Sequence, residues 1–264
     1  MTIEGYAVEG GFDRPYEPAT NYSPTIALGR HAGPGDGEGL WDDYEKVIDL
    51  VASMGLAGVR LTLEWARIEP RRGRVDSSAL DRYVNVVRHA RRLGLDVTVV
   101  LIDAAWPSWL GLEAWLLPWV VPHVLTHARR VAERLSGDVT GLVVFANPAL
   151  LVEGGFLRGE GPPWRSRQVE DARAAQGQIE RIVRDLMNDG ALAPLLVRSS
   201  AEVSLELSPA QIAAFRDTTT DLDEVYARSL VRGRGPTASA RGLLTRESDE
   251  WCVCASDELL EALR

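Results

Sequence analysis

The sequence predicts an α/β protein built as a (β/α)8 TIM barrel. Short apolar runs with strand character alternate with segments of helical periodicity along most of the chain. This alternation is typical of a parallel sheet covered by helices. No phosphate-binding glycine fingerprint follows the first predicted strand, which favours a closed barrel over an open, doubly wound sheet.

Four predicted strands are separated by clear helical patterns. These strands are GYAVEGGF (5–12), GVRLTLEW (58–65), DVTVVLID (96–103) and GLVVFAN (141–147). Between them, helices are predicted over 40–55, from Asp76 or Ser77 to Leu93, and over about 117–135. Gly55 and Gly94 end the first two helices, since glycine favours the backbone conformation that closes a helix.

The last third of the chain has a weaker pattern. A helix over 165–188 leads to a fifth strand, APLLVRSS (193–200), and Ser208 caps another helix. EVYARSLV (224–231) fits a strand or a helix, RGLL (241–244) a short strand, and EWCVCAS (250–256) a strand before a final helix. The count of seven or eight strands leaves open whether this part completes a compact barrel. Because no linker or repeat is found, we predict a single domain over 1–264.

Composition limits the classes of function. Apolar residues make up 45% of the chain and charged residues 25%, and the net charge is −9. These values are typical of a globular protein and argue against a general nucleic-acid binder. No apolar run reaches the length of a membrane span, and the N-terminus lacks a basic region followed by an apolar one. We therefore expect a cytoplasmic protein with no membrane or nucleic-acid partner; the oligomeric state stays open.

One long segment keeps a recognisable spacing. The residues that keep this spacing in and after the second predicted strand are Arg60, Trp65, Arg67, Ile68, Pro70, Gly73, Val75, Leu80, Asp81 and Tyr83. DDYEKVIDLVASMGL precedes it, and THARRVAERLSGDVTGLVVFANP and GFLRGEGPPW follow. Over roughly residues 40–190 the chain resembles family-one glycoside hydrolases, the β-glucosidase class. The resemblance implies an eight-stranded α/β barrel.

The positions that carry chemistry in that family differ here. The resemblance places the family's general acid/base glutamate on Asn147 and its sugar-holding asparagine on Ala146. Its His-Trp pair falls on Asp103 and Ala104, and its I-T-E-N-G nucleophile motif is not found in this chain. Retaining hydrolysis needs two carboxyl groups, and asparagine cannot transfer a proton. We therefore do not expect ordinary retaining β-glucosidase activity.

Two other carboxyl groups are predicted at the ends of neighbouring strands. Strand alternation places Arg60, Thr62 and Glu64 on one face of the second strand, so we expect Glu64 to face the barrel interior. Asp103 ends the third strand. The predicted catalytic residues are Glu64, Asp103 and Asn147, with the two carboxyl groups sharing a proton or flanking a substrate. Alternatively, Glu64 pairs with Arg60 and only packs the mouth of the barrel.

Further residues are candidates for substrate binding. Tryptophan faces at a barrel mouth suit a sugar ring, and arginine forks suit phosphate or carboxylate, although each residue could instead serve packing or a solvated loop. His123 and His127 are interpreted as structural, and we expect neither a metal nor a cofactor. The substrate-binding candidates are Glu9, Arg60, Trp65, Trp106, Trp109, Glu153, Arg198 and Arg228.

These features favour a glycosidase-like TIM-barrel enzyme with a non-standard active site. We expect it to act on a sugar, glycoside or polyol-like small molecule, in carbohydrate or specialised metabolism, by carboxylate general acid/base chemistry. The reaction could be hydrolysis, elimination, isomerisation or cyclisation. The alternative is a non-catalytic sugar- or small-molecule-binding protein on the same scaffold.

Overall fold

The computed structural model describes residues 1–12 and 18–196, and the backbone of 244–247 and 250–253. The chain divides into two compact units. One comprises Met1–Ala146 and Ile182–Arg198, and the other comprises Asn147–Arg181 and Ser199–Arg264. No helix in the described residues is long and apolar enough to cross a membrane.

The first unit is built on a four-stranded parallel sheet with the order β1-β2-β3-β4. Its strands are β1 (Thr2–Ile3), β2 (Gly58–Thr62), β3 (Asp96–Ile102) and β4 (Gly141–Phe145). Their order in the sheet equals their order in the chain, as in a barrel built by successive crossovers. Leu196 adds one parallel bridge to Leu142, which is where the predicted fifth strand would join β4.

Helices connect these strands, together with short turns. The α-helices are α1 (Gly5–Glu9), α2 (Ser23–Ala27), α3 (Tyr44–Ser53), α4 (Trp65–Ile68), α5 (Ser77–Arg92), α6 (Val120–Leu135) and α7 (Val169–Met187). The 3-10 turns are Ser108–Leu110, Ala114–Leu116 and Ala193–Leu195, and Leu150–Gly154 forms a π-helical turn. In the second unit β5 (Leu244–Glu247) and β6 (Glu250–Val253) pair as an antiparallel hairpin.

The helix α5 illustrates how local sequence sets these bounds. The Asp76 carboxylate accepts hydrogen bonds from the backbone N–H groups of Ser78 (2.9 Å) and Ala79 (3.1 Å). These bonds satisfy two of the donors that a helix leaves unpaired at its start. Gly94, at φ +83°, turns the chain into β3. The inner side of α5 and the β3 residues Val97, Val99 and Leu101 are buried in the core.

Several predicted elements are confirmed in type and place: α3, β2, α5, β3, α6, β4 and α7. The first predicted strand is wrong, because β1 comprises only Thr2–Ile3 and residues 5–9 form α1. The chain passes close to β2 at this point, since a Cβ at Gly5 would lie 2.9 Å from the Thr62 carbonyl oxygen. The predicted barrel strand at 250–256 is also wrong in its pairing, because its described part lies in the β5–β6 hairpin.

Candidate active site

Polar side chains follow three neighbouring strands at the carboxyl edge of the parallel sheet. Glu4 follows β1 directly, Glu64 lies two residues after β2, and Asp103 follows β3. Tyr22 lies near them, because, besides burial, the negative charges of all three carboxyl groups raise the pKa of its hydroxyl. We call Glu4, Tyr22, Glu64 and Asp103 the mouth cluster. In parallel α/β sheets this edge is the usual location of active sites.

Asp103 is the half-buried member of the mouth cluster that the protein orients most directly. The Thr62 hydroxyl donates a hydrogen bond to its Oδ2 atom at 3.2 Å. Partial burial raises the pKa of Asp103, while the Thr62 hydroxyl, the Ala104 backbone N–H and the Arg60 charge act in the opposite direction. Asp103 is therefore a carboxyl group that solvent can reach, with a pKa that burial raises and that three neighbouring groups keep from rising further.

Glu64 lies behind this surface and is only 1% exposed. Both of its carboxyl oxygens are buried without a partner in hydrogen-bond geometry. Its pKa is raised well above the ordinary value, first by burial and then by the charges of Glu9 and Asp103; the Arg67 charge and the Tyr6 backbone N–H oppose this more weakly. A buried carboxyl group without a partner is most stable uncharged, so the surroundings of Glu64 favour its protonated form.

A buried ion pair supports α4 next to the mouth cluster. Arg67 Nε donates to Glu9 Oε2 at 2.6 Å, and the Tyr83 hydroxyl donates to Glu9 Oε1 at 2.7 Å. The Arg67 guanidinium lies over the rings of Phe12, at 4.2 Å, and Trp41, at 4.0 Å. We call Glu9, Arg67 and Tyr83 the ion-pair core.

The ion-pair core explains which of the two buried glutamates is ionised. Burial raises the pKa of Glu9, but the Arg67 charge and the Tyr83 hydroxyl stabilise its carboxylate. Arg67 forms its ion pair with Glu9, and Glu64 forms none within the described residues. One cation therefore pairs with one anion, and the protonated form of Glu64 is favoured.

Arg60 does not pair with Glu64. Its Nη2 atom donates to the Ala146 carbonyl oxygen at 3.2 Å, while its Nε atom is buried without a partner. The alternative in which Glu64 serves as the ion-pair partner of Arg60 is therefore wrong. Arg60 instead contributes positive charge to the surroundings of Asp103.

The Asn21 side chain joins the segment that carries Tyr22 to the loop after β3 by two hydrogen bonds. Asn21 Oδ1 accepts a hydrogen bond from the Trp106 backbone N–H at 2.8 Å, and Asn21 Nδ2 donates to the Ala104 carbonyl oxygen at 3.1 Å. The Tyr22 ring stacks on Tyr6 with 4.9 Å between centroids. Burial and then the charges of Asp103, Glu64 and Glu4 raise the pKa of Tyr22 to about 12, so its hydroxyl keeps its proton.

The tryptophans predicted to stack on a ligand mostly serve packing. Trp65 is 1% exposed and stacks on His127 at 4.5 Å, and Trp106 is fully buried with its indole N–H bound to the Gly111 carbonyl oxygen at 2.8 Å. Trp109 is half-buried and donates to the Glu69 carbonyl oxygen at 2.9 Å. Burial lowers the pKa of His127 to about 3, so this ring is a neutral packing partner.

The remaining predicted residues lie elsewhere. The backbone N–H of Leu150 donates to Asn147 Oδ1 at 3.1 Å, and Glu153 is buried in the π-helical turn; both belong to the second unit. Arg198 and Arg228 lie outside the described residues. Glu9 has both carboxylate oxygens occupied inside the ion-pair core, which corrects its assignment to substrate contact.

Comparison with known proteins identifies the scaffold. The model of glycosyl hydrolase family 1 matches residues 31–258, which is most of the chain. The chain belongs to glycosyl hydrolase family 1. Related structures of this family are TIM barrels, so the predicted α/β barrel class is confirmed, with four parallel strands among the described residues.

The curated relatives of this family-1 chain are distant. It is 28% identical over 129 residues to the 6-phospho-beta-glucosidase GmuD of Bacillus subtilis, covering 48% of this chain and 28% of that protein. It is 28% identical over 186 residues to Beta-glucosidase 47 of Arabidopsis thaliana, covering 67% of this chain and 34% of that protein. The chain thus spans about a third of the length of these relatives.

Solved structures of family members share the fold with the family-1 chain. The virulence factor SghA from Agrobacterium tumefaciens superposes with a TM-score of 0.66 at 20% identity, over 91% of this chain and 57% of that one. A beta-glucosidase from Thermotoga maritima in complex with castanospermine gives a TM-score of 0.59 at 19% identity, over 72% and 46%.

Proposed function

We propose that the protein is a glycosidase-like enzyme with a non-standard active site at the mouth cluster. It acts on a sugar, glycoside or polyol-like small molecule by carboxylate general acid/base chemistry. The observation that carries this proposal is Asp103, a solvent-reachable carboxyl group that the Thr62 hydroxyl holds at 3.2 Å beside further carboxyl groups. Family membership and the beta-glucosidase names of the relatives support a glycoside as the substrate class.

The roles of the predicted residues follow from their accessibility. Asp103 contacts the substrate and exchanges its proton. Glu64 is 1% exposed, so it acts from behind as a protonated group that keeps negative charge away from Asp103. Arg60 stabilises the ionised form of Asp103. Asn147 carries no acid and lies in the second unit, so its role of orienting a ligand stays a prediction from the sequence.

We expect Asp103→Asn to lower kcat by about 10²–10⁴-fold, because the amide cannot exchange the proton. The substitution preserves size, so the thermal unfolding midpoint should change little. Turnover is measured by product NMR on a panel of neutral glycosides, sugar phosphates and polyols. Asp43→Asn is the matched control, because Asp43 is exposed and its side chain makes no capping hydrogen bond at α3.

Two outcomes would contradict this assignment. Asp103→Asn could retain full turnover, which would exclude Asp103 from the chemistry. Alternatively, the wild-type protein could turn over no member of the panel while ligand-dependent shifts of its melting temperature reveal binding.

The second outcome would support the alternative function, a non-catalytic sugar-binding protein. One observation favours this alternative: β4 is followed by Ala146 and Asn147, without the carboxyl group that the family resemblance expects there. A binder would lose ligand affinity in Asp103→Asn without any change in chemistry to measure.

A further inference from the structure

Glu4 occupies a place in the sheet that brings it to the accessible side of the mouth cluster. In the parallel pairing of β1 with β2, Thr2 lies opposite Arg60 and Ile3 opposite Leu61. Extending this register by one residue places Glu4 beside Thr62, on the same face as Arg60. Thr62 is the residue whose hydroxyl binds Asp103 at 3.2 Å. Glu4 and Asp103 therefore lie on either side of one threonine.

The residue after Glu4 fixes this arrangement. Gly5 packs so closely on β2 that a Cβ would lie 2.7 Å from Glu64 Oε1 and 2.9 Å from the Thr62 carbonyl oxygen. The chain leaves β1 directly over the Glu64 side chain. Glu4 is an exposed residue whose carboxyl group is partly buried, and it makes no hydrogen bond or ion pair within the described part of the chain.

The buried carboxyl group of Glu64 is independent evidence for a functional site here. It is a 99% buried carboxyl group, being 1% exposed, and neither oxygen has a hydrogen-bond partner among the described residues. Its Oε1 atom lies so close to Gly5 that a Cβ there would be 2.7 Å away, which places this carboxyl group next to Glu4. An orphaned buried carboxyl group is costly for stability, and such groups are concentrated at functional sites.

We propose that Glu4 is the proton donor and Asp103 the proton acceptor of this site, as the two carboxyl groups that contact a glycoside substrate. This inference rests on the proposed function. It replaces Glu64 as the acid partner, because Glu64 is buried and Glu4 is exposed.

The step balances with water as the second reactant. The Glu4 proton passes to the glycosidic oxygen as the bond to the anomeric carbon breaks, and the bonding electrons leave with that oxygen. Water supplies the hydroxyl group to the anomeric carbon, and its released proton goes to Asp103. Proton exchange with solvent then restores protonated Glu4 and ionised Asp103.

The electrostatic surroundings divide these roles between the two groups. Burial and the Asp103 charge raise the pKa of Glu4, which favours its protonated form. Burial also raises the pKa of Asp103, but there the Thr62 hydroxyl, the Ala104 N–H and the Arg60 charge act against the rise, whereas among the described residues no neighbouring group acts against it at Glu4. Because only Asp103 of this pair has described neighbours that stabilise its ionised form, Asp103 is the better base of the two and Glu4 the better acid.

The test compares Glu4→Gln with Asp103→Asn on two glycosides of one sugar. A methyl glycoside needs a proton donor for its leaving oxygen, whereas a 2,4-dinitrophenyl glycoside does not. We expect Glu4→Gln to lose about 10²–10⁴-fold in kcat/KM on the methyl glycoside and little on the dinitrophenyl one. Asp103→Asn should lose activity on both. Glu133→Gln is the control, because Glu133 is exposed on α6.

Equal activity of Glu4→Gln and wild type on the methyl glycoside would overturn the assignment, as would an equal loss on both substrates. A second measurement does not depend on turnover. In a carboxyl ¹³C NMR titration, the Glu4 pKa should lie above its ordinary value and fall in Asp103→Asn. An unchanged Glu4 pKa would refute the pair. The wild type could cleave neither glycoside although the Glu4 pKa falls in Asp103→Asn. In that case the proposed function fails, while the electrostatic coupling of Glu4 and Asp103 stands.

Discussion

We expect Arg67→Met to lower the free energy of unfolding by about 3–5 kcal/mol, because it leaves a buried carboxylate without its cation. Arg67 is 8% exposed, and its Nε atom lies 2.6 Å from Glu9 Oε2. The substitution also removes the hydrogen bond to the Gly10 carbonyl oxygen and the contacts of the guanidinium with two aromatic rings. Chemical denaturation at pH 7 measures the change.

A matched surface pair serves as the control for this prediction. Arg129 and Asp189 form an ion pair of similar length, 2.8 Å, but the Arg129 side chain is 56% exposed. Arg129→Met should therefore cost only about 0–1 kcal/mol. Adding Glu9→Gln to Arg67→Met should recover part of the loss, since it removes the unpaired charge. Equal costs for the Arg67 and Arg129 variants would contradict the structural role of the ion-pair core.

The second large effect is on the pH dependence of stability, and it depends on Glu64. Its pKa in the folded protein lies well above the ordinary 4.5 because of burial and neighbouring negative charge. The folded state then holds a proton that the unfolded state has released, so stability falls as pH rises above about 4.5 towards the folded pKa. The slope reaches at most about 1.4 kcal/mol per pH unit for one proton.

Glu64→Gln mimics the protonated side chain and should abolish this contribution. We expect wild type and variant to unfold at similar temperatures near pH 4.5, and the variant to be increasingly the more stable as pH rises. Thermal unfolding at a series of pH values measures the difference, with Glu133→Gln as the control. A variant that is less stable than wild type at every pH would mean that Glu64 is ionised in the folded protein.

Local signals in the sequence were sufficient for much of the first unit. The cap at Asp76 and the glycine at 94 delimit α5 through interactions within a few residues, and such signals survive in any context. The two-residue β1 could not be predicted in this way, because its strand character comes from pairing with β2, nearly sixty residues away. The apolar segment that follows looked more like a strand than β1 itself.

The sequence likewise predicts some residues of the candidate site and not others. Glu64 and Asp103 end long, clear strands, and their proximity follows from the pairing of those strands. Glu4 was missed because the first strand was predicted too late in the chain, although any residue after β1 would face the same edge. Tyr22 lies in a loop without periodicity, and its place depends on contacts of Asn21 with residues 104 and 106. For Trp106, sequence could not distinguish a sugar platform from a core side chain.

The fastening of the Tyr22 segment has a consequence for hydrogen exchange. Three backbone N–H groups join this segment to the loop after β3: Asn21 to the Trp106 oxygen (2.9 Å), Trp106 to Asn21 Oδ1 (2.8 Å), and Ser108 to the Ala19 oxygen (2.9 Å). Because each bond crosses between the same two segments, we expect the three amides to exchange with solvent at a common rate, through one opening event. A ligand held against Asp103 would slow all three together, and these amides would report its binding without any need for turnover.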